Sequence, residues 1–145
     1  MTKIDLFNET EFLIVKKDIT EIIRIITKEL NIKKYHFACS FVSQETILAI
    51  NKKHLNHDYY TDIITFNYGN ENGKLEAEFY ISPEEANTNS KKFKVELKSE
   101  LIRLVIHGVL HCIGFNDKTK KEQKEMRMKE NELINIIPND LKVIA

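Results

Sequence analysis

Phe12, Val15, Ile19, Ile22, Ile23, Ile26 and Leu30 recur three and four residues apart. That spacing lines them along one stripe and predicts an amphipathic helix over about 10–30. A short apolar patch at 4–7 precedes it and reads as an edge strand. After the helix the period changes to two: Tyr35, Phe37, Cys39 and Phe41 alternate with His36, Ala38, Ser40 and Val42, as in a strand. Ser43 is placed to cap a second helix holding Ile47, Leu48 and Leu55. Residues 61–68 are apolar on both faces, Ile63 on one and Ile64 and Phe66 on the other, as a central strand covered twice would be. A turn at 69–73 leads to a hairpin partner in which Leu75, Ala77, Phe79 and Ile81 alternate. Ser82, Pro83 and Glu85 then form a helix start, with a capping serine, proline at the first helical position and glutamate at the third. Thr119 and Glu122 repeat the capping pattern ahead of a last helix rich in Lys and Glu, whose charge run reads as a solvated face.

Between these two helix starts lies the least polar stretch of the chain. Residues 101–113 are almost wholly apolar, broken only by Arg103, His107 and His111. A helix that is apolar all round is a buried helix, so this one should run through the middle of the fold. The expected architecture is α+β: a mixed sheet of about four strands around a buried central metal-bearing helix, with flanking helices.

Composition adds bounds to this picture. The chain has 145 residues, one domain's worth, and no internal repeat, low-complexity tract or linker divides it, so 1–145 is expected to be a single domain. Lys plus Arg is 22 and Asp plus Glu is 22; with no global basic field, a nucleic-acid ligand would have to be held by local charge and shape. Cys39 and Cys112 are far apart, without a CxxC, which suits reduced thiols in the cytoplasm. No signal-peptide h-region opens the chain, and no run approaches the roughly 18 apolar residues of a membrane span.

The chemistry concentrates at the end of the apolar helix. His107 and His111 are four apart, which puts both imidazoles on one face. Gly114 can take positive φ and end the helix, and the turn it allows can return Asp117 toward the histidines. His-x-x-x-His-x-x-Gly-x-x-Asp therefore reads as a three-ligand site, His107, His111 and Asp117, for one zinc ion. Two unpaired imidazoles in so apolar a helix would be costly, and a metal removes the cost. Three protein ligands leave a fourth position for water, as in catalytic zinc sites. The metalloprotease pattern needs Glu directly after the first histidine; here that residue is Gly108, which disfavours a standard zinc peptidase. Cys112 points to another helix face and is expected in the core.

A second informative stretch is 51–66, NKKHLNHDYYTDIITF. His54 and His57 sit in a polar, aromatic run and are expected to face solvent or substrate rather than metal. His36, on the predicted strand, is expected to be structural or solvated. Asp62, at a strand start, is a candidate to support the ligands or cap a turn, and a weak candidate for general base.

On these residues the chain resembles the YbeY family of bacterial rRNA maturation factors. The family's helix motif, His-Gly-x-Leu-His-x-x-Gly-x-Asp-His, is matched by His107, Gly108, Leu110, His111 and Gly114; its third histidine falls at Asp117 and the preceding aspartate at Asn116. A second family stretch, Leu-Asn followed by Thr-Asp-x-x-Ser-Phe, is matched by Ile50-Asn51 and Thr61-Asp62-Ile63-Ile64-Thr65-Phe66. The family's arginine in that stretch falls at Leu55, so a phosphate contact there would have to come from a neighbour such as Lys52 or Lys53. The resemblance implies a zinc-dependent, single-strand-specific endoribonuclease acting in rRNA maturation and ribosome quality control. It further implies rRNA and the small ribosomal subunit as partners, together with a ribosome-associated GTPase and a ribosomal protein. Two other classes stay open: a metallopeptidase with an atypical base, since the ligand spacing also resembles metzincins, and a non-catalytic, zinc-stabilised ribosome-assembly factor.

Overall fold

Among the described residues, four strands and five α-helices follow in the order β1 (Thr2–Asn8), α1 (Lys16–Glu29), β2 (Tyr35–Phe41), α2 (Gln44–Ile50), β3 (Ile63–Glu71), β4 (Lys74–Ile81), α3 (Pro83–Lys92), α4 (Leu97–Cys112) and α5 (Lys120–Ile134). A single wide helical turn, Asn51–Leu55, extends α2. This is a computed structural model that describes residues 2–55 and 61–145, the side chain of Leu55 apart. The strands form one sheet in the order β1-β2-β4-β3; β1 is parallel to β2 and β2 to β4, while β3 and β4 form an antiparallel hairpin. The fold is thus the expected α+β arrangement with a mixed four-stranded sheet.

The two-residue alternation of β2 is literal: Tyr35, Phe37, Cys39 and Phe41 are buried and the residues between them half-buried. With Ala77 and Phe79 of β4 and Ile19, Ile22, Ile23 and Ile26 of α1, they enclose α4. From Leu101 to Cys112 no residue of α4 is exposed, as an all-round apolar helix requires. The expected caps also form: Ser43, Ser82 and Thr119 each accept a hydrogen bond from the backbone N–H three residues on, and Thr119 and Glu122 make a reciprocal box.

Three expectations change. The first helix begins at Lys16 rather than near residue 10, because 13–15 pairs with the C-terminal tail: Ile14 bridges Ile144, and Val15 N–H donates to the Val143 carbonyl. Buried Asp18 holds that tail by accepting from the N–H groups of Lys142 and Val143. Strand β3 is an edge strand, not a central one. Its two apolar faces arise because Ile63 packs with the main core, while Ile64 and Phe66 join a smaller cluster with Val42 and Ile47. Periodicity reports cover above and below a strand, and is silent about its neighbours to left and right. The hairpin turn is also tighter than 69–73: it is Asn72 and Gly73, both at positive φ, and Gly69 instead sits at a register shift within β3.

Gly108 is what lets α4 lie close to the sheet. A Cβ there would stand 2.7 Å from Phe79 Cδ1 and 3.3 Å from Ile63 Cδ1. Phe79 is buried in the core and has little room to give. Gly108→Val should therefore cost about 1–3 kcal/mol by overpacking, seen as a melting temperature lowered by several degrees; a melt equal to that of the unsubstituted chain would show that Phe79 moves aside freely. The same contact would crowd a glutamate directly after His107.

Candidate metal centre

Helix α4 delivers His107 and His111 to one face at its C-terminal end, with Nε2 atoms 2.9 Å apart and rings nearly perpendicular. The helix closes at Ile113, and Gly114 follows at φ +104°, a conformation that costs glycine nothing. Gly114 N–H then donates to the His111 carbonyl and Phe115 N–H to the Leu110 carbonyl, the paired bonds of a Schellman closure. The reversal returns Asp117, as its position after the glycine predicts. Asp117 Oδ2 lies 3.2 Å from His107 Nε2 and 3.6 Å from His111 Nε2. One ligand atom from each residue lies within 4.8 Å of the others, and this is the one such group of three among the described residues.

The surroundings fit a cation of the zinc type. His107 Nδ1 lies 2.7 Å from Glu130 Oε2, and Glu130 Oε1 accepts from Arg103 NH1 at 2.8 Å. A proton on Nδ1 facing that carboxylate leaves the Nε2 lone pair directed at the cluster, the tautomer a metal ligand needs. His111 Nε2 faces both His107 Nε2 and the Asp117 carboxylate. Two imidazoles and a carboxylate suit zinc in donor type and number.

The charges around the site follow from its half-buried position. Burial opposes the charged form of His107, but the hydrogen bond and charge of Glu130, joined by Asp117 and Asp62, outweigh it and hold the imidazole above its ordinary value. For His111, burial and the neighbouring His107 charge prevail over Asp117 and push it down. Glu130 is only 4% exposed; burial would raise its carboxyl, yet His107 and Arg103 pull it below its usual range. Asp62 goes the other way. Burial raises it, against the lowering influence of nearby backbone groups, His107 and Asn89.

Two clefts meet at the cluster. One, of about 650 Å³, runs between α4, α5 and the end of α3; the other, of about 480 Å³, lies along the start of β3. Asp62, Ile63, His107 and Asp117 line both. Asp62 is anchored at the junction: its carbonyl accepts from Ser82 N–H, and its Oδ2 accepts from Asn89 Nδ2 at 3.2 Å. It thus lines both clefts beside His107 and Asp117.

Other residues singled out in the sequence fall elsewhere. His54 is exposed, its ring set edge-on to Phe66, and is not gathered with the ligands. His36 is half-buried, with Nε2 2.8 Å from Asp5 Oδ2. Cys112 is buried, and burial pushes its thiol up to about 12, a state unsuited to ligation. Lys52 and Lys53 line neither cleft, whereas Asn51 lines the smaller one. His57 and the side chain of Leu55 lie outside the described residues.

Glu130 and Arg103 are the pair behind His107 that periodicity passes over. A signal was present: Glu130 lies on the stripe of Met126, Leu133 and Ile137, all buried, where a carboxylate has no place unless it is paired.

Comparison with known proteins completes the description. The family described as Endoribonuclease YbeY matches residues 5–137. Relatives named endoribonuclease YbeY include one from Parabacteroides distasonis, 38% identical over 88% of this chain and 89% of that protein. Another, from Bacteroides fragilis, is 40% identical over 83% and 86%, and a third, from Chlorobaculum tepidum, is 34% identical over 90% and 95%. The solution structure of a Thermotoga maritima protein superimposes with a TM-score of 0.61 at 23% identity, covering 91% of this chain and 89% of the other; this likeness is one of fold.

Proposed function

The chain belongs to the YbeY endoribonuclease family, and on that premise we propose that it is a zinc-dependent endoribonuclease of small-subunit rRNA maturation and ribosome quality control in the cytoplasm. The observation that carries this reading is the convergence of His107, His111 and Asp117 where two clefts join. An RNA strand laid from one cleft to the other passes its backbone over the ligand set. When bound, zinc supplies an acidified water and polarises a phosphoryl oxygen. The chain's own residues do the rest. Glu130 and Arg103 hold His107 in the ligating tautomer, and the Gly114 turn holds Asp117 against both imidazoles. Asp62, with its carboxyl raised by burial, suits accepting a proton from the attacking water. The domain of this activity is the whole of 1–145.

A peptidase reading lacks its base, because the residue after His107 is Gly108, where a side chain would crowd Phe79. Among the described residues no helix is long and apolar enough to cross a membrane.

The test is cleavage of labelled single-stranded rRNA fragments by purified protein. Zinc-loaded protein should cut, and chelation or His107→Ala should abolish cutting. Cleavage of peptide substrates with RNA left intact would move the assignment to a peptidase. Binding to the small ribosomal subunit with no cleavage of either substrate would leave a zinc-stabilised assembly factor.

A further inference from the structure

Helix α5 carries its charges in two separated groups. Lys120, Lys124 and Arg127 are exposed and line the larger cleft. They sit at helical spacing i, i+4 and i+7, one face of the helix. The anions of α5 go elsewhere: Glu122 and Glu125 line a separate hollow beside Ile113 to Asn116, and Glu132 pairs with Lys129. The exception is Glu130, which faces the cleft but is held by Arg103 and His107. A chain with no net charge has thus placed three cations on one wall of its active cleft. Among the described residues, neither Lys120 nor Lys124 has a salt-bridge partner.

The remaining acids of that cleft do not cancel the wall. Asp62 and Asp117 lie at the metal end, and Glu100 faces Arg103 and Arg127, which leaves Lys120 and Lys124 as the wall's cations with no acid set against them among the described residues. The same cleft is lined at the end of α3 by Phe93, which is 62% exposed, with Lys92 Nζ 5.6 Å from its ring centroid. An exposed aromatic ring lining the same cleft as a row of cations is the pairing that single-stranded nucleic acid uses, a base stacking on the ring and phosphates tracked by the cations.

We propose that this wall is the RNA track of the enzyme: Lys120, Lys124 and Arg127 hold successive phosphates of a single strand, and Phe93 stacks one of its bases, leading the strand to the metal ligands. The proposal rests on the ribonuclease reading and specifies how that site holds its substrate. The rise from Lys120 to Lys124 is about 6 Å, on the order of the separation between neighbouring phosphates in an extended strand. Helix α5 starts three residues after Asp117, so the track begins beside the site it serves.

The experiment measures binding of a labelled 12-nucleotide single-stranded RNA to zinc-loaded protein by fluorescence anisotropy at 4 °C across a salt series. The RNA is checked for intactness at each point. The triple variant Lys120→Ala/Lys124→Ala/Arg127→Ala should bind about tenfold more weakly or worse at low salt, and its log K against log salt should be shallower by about 2, near 0.7 per lost phosphate contact. Zinc content and melting temperature should not change, and in cleavage assays KM should rise more than kcat falls. A charge-matched control on α1, Lys16→Ala/Lys17→Ala/Lys28→Ala, should stay close to the unsubstituted chain. Phe93→Ala should weaken binding about fivefold or more with the salt slope intact, and Phe93→Trp should restore it. Equal slopes for the two triple variants, or an unchanged KM at the α5 triple, would overturn the track while leaving the ribonuclease assignment standing. Unsubstituted protein that neither binds nor cuts single-stranded RNA would overturn the assignment and the track with it.

Discussion

Asp117→Ala is expected to lose zinc and RNA cleavage together while the chain still folds. His107 and His111 alone offer two ligands, and a third is what makes a catalytic zinc site. Asp117→His should restore binding, since imidazole and carboxylate ligate at similar distances. The stability readout follows from linkage. A ligand that binds only the folded state stabilises it by about 4 kcal/mol at a thousandfold excess over Kd, so chelation should lower the melting temperature by several degrees or more. The loss should depend on pH in a stated direction. Zinc must displace the proton from His107, whose imidazole lies above 6.5 in the folded protein. The stabilisation by zinc should therefore grow from pH 6 to pH 8. Elemental analysis and paired melts with and without chelator decide it. Zinc retained by Asp117→Ala, with a melt indifferent to chelator, would make Asp117 only the residue that closes the turn after Gly114.

Glu130→Ala should be the most destabilising single change at the site. It leaves Arg103 and His107 without the buried carboxylate that both face, and removal of one partner from a buried ion pair costs about 3–5 kcal/mol. The melting temperature should fall by on the order of 10 °C. In metal-free protein this penalty also has a pH signature. The folded-state value of His107 is raised, so its contribution is complete below 6.5 and disappears as pH rises through the folded value. The value of Glu130 is lowered, so its contribution is complete above 4.5 and disappears as pH falls through the folded value. The difference between the unsubstituted and Ala chains should be greatest between about pH 4.5 and 6.5 and smaller at pH 8. Glu130→Gln keeps the shape but not the charge. It should weaken zinc binding by about 10–100-fold, the effect of losing a carboxylate behind a ligating histidine, with a smaller loss of stability. Competition with a chromophoric chelator measures this; a Gln variant with unchanged zinc affinity would reduce Glu130 to a structural partner of Arg103.

Much of this protein is legible from residue order because its determinants are local. Caps at Ser43, Ser82 and Thr119 depend on four consecutive residues, and the strand Tyr35–Phe41 on a two-residue repeat. The cluster of two histidines and an aspartate is legible for the same reason. His107, His111, Gly114 and Asp117 span one helix end and one turn, so a glycine at φ +104° suffices to gather them.

What residue order left open depends on segments distant in the chain. That 13–15 is extended rather than helical is decided by a tail more than 120 residues away. That β3 is an edge follows from strand order, which no periodicity encodes. Glu130 reads as one more charge in a Lys- and Glu-rich helix until α5 packs against α4 and brings it to Arg103 and His107. The sequence by itself determined most of the elements, their caps and the gathering of His107, His111 and Asp117, since each follows from bonds within a few residues. Only the tertiary structure decided which charges of α5 face the cleft, which carboxylate supports His107, and what a side chain at Gly108 would crowd. Those answers are set by side chains meeting across helices and sheet.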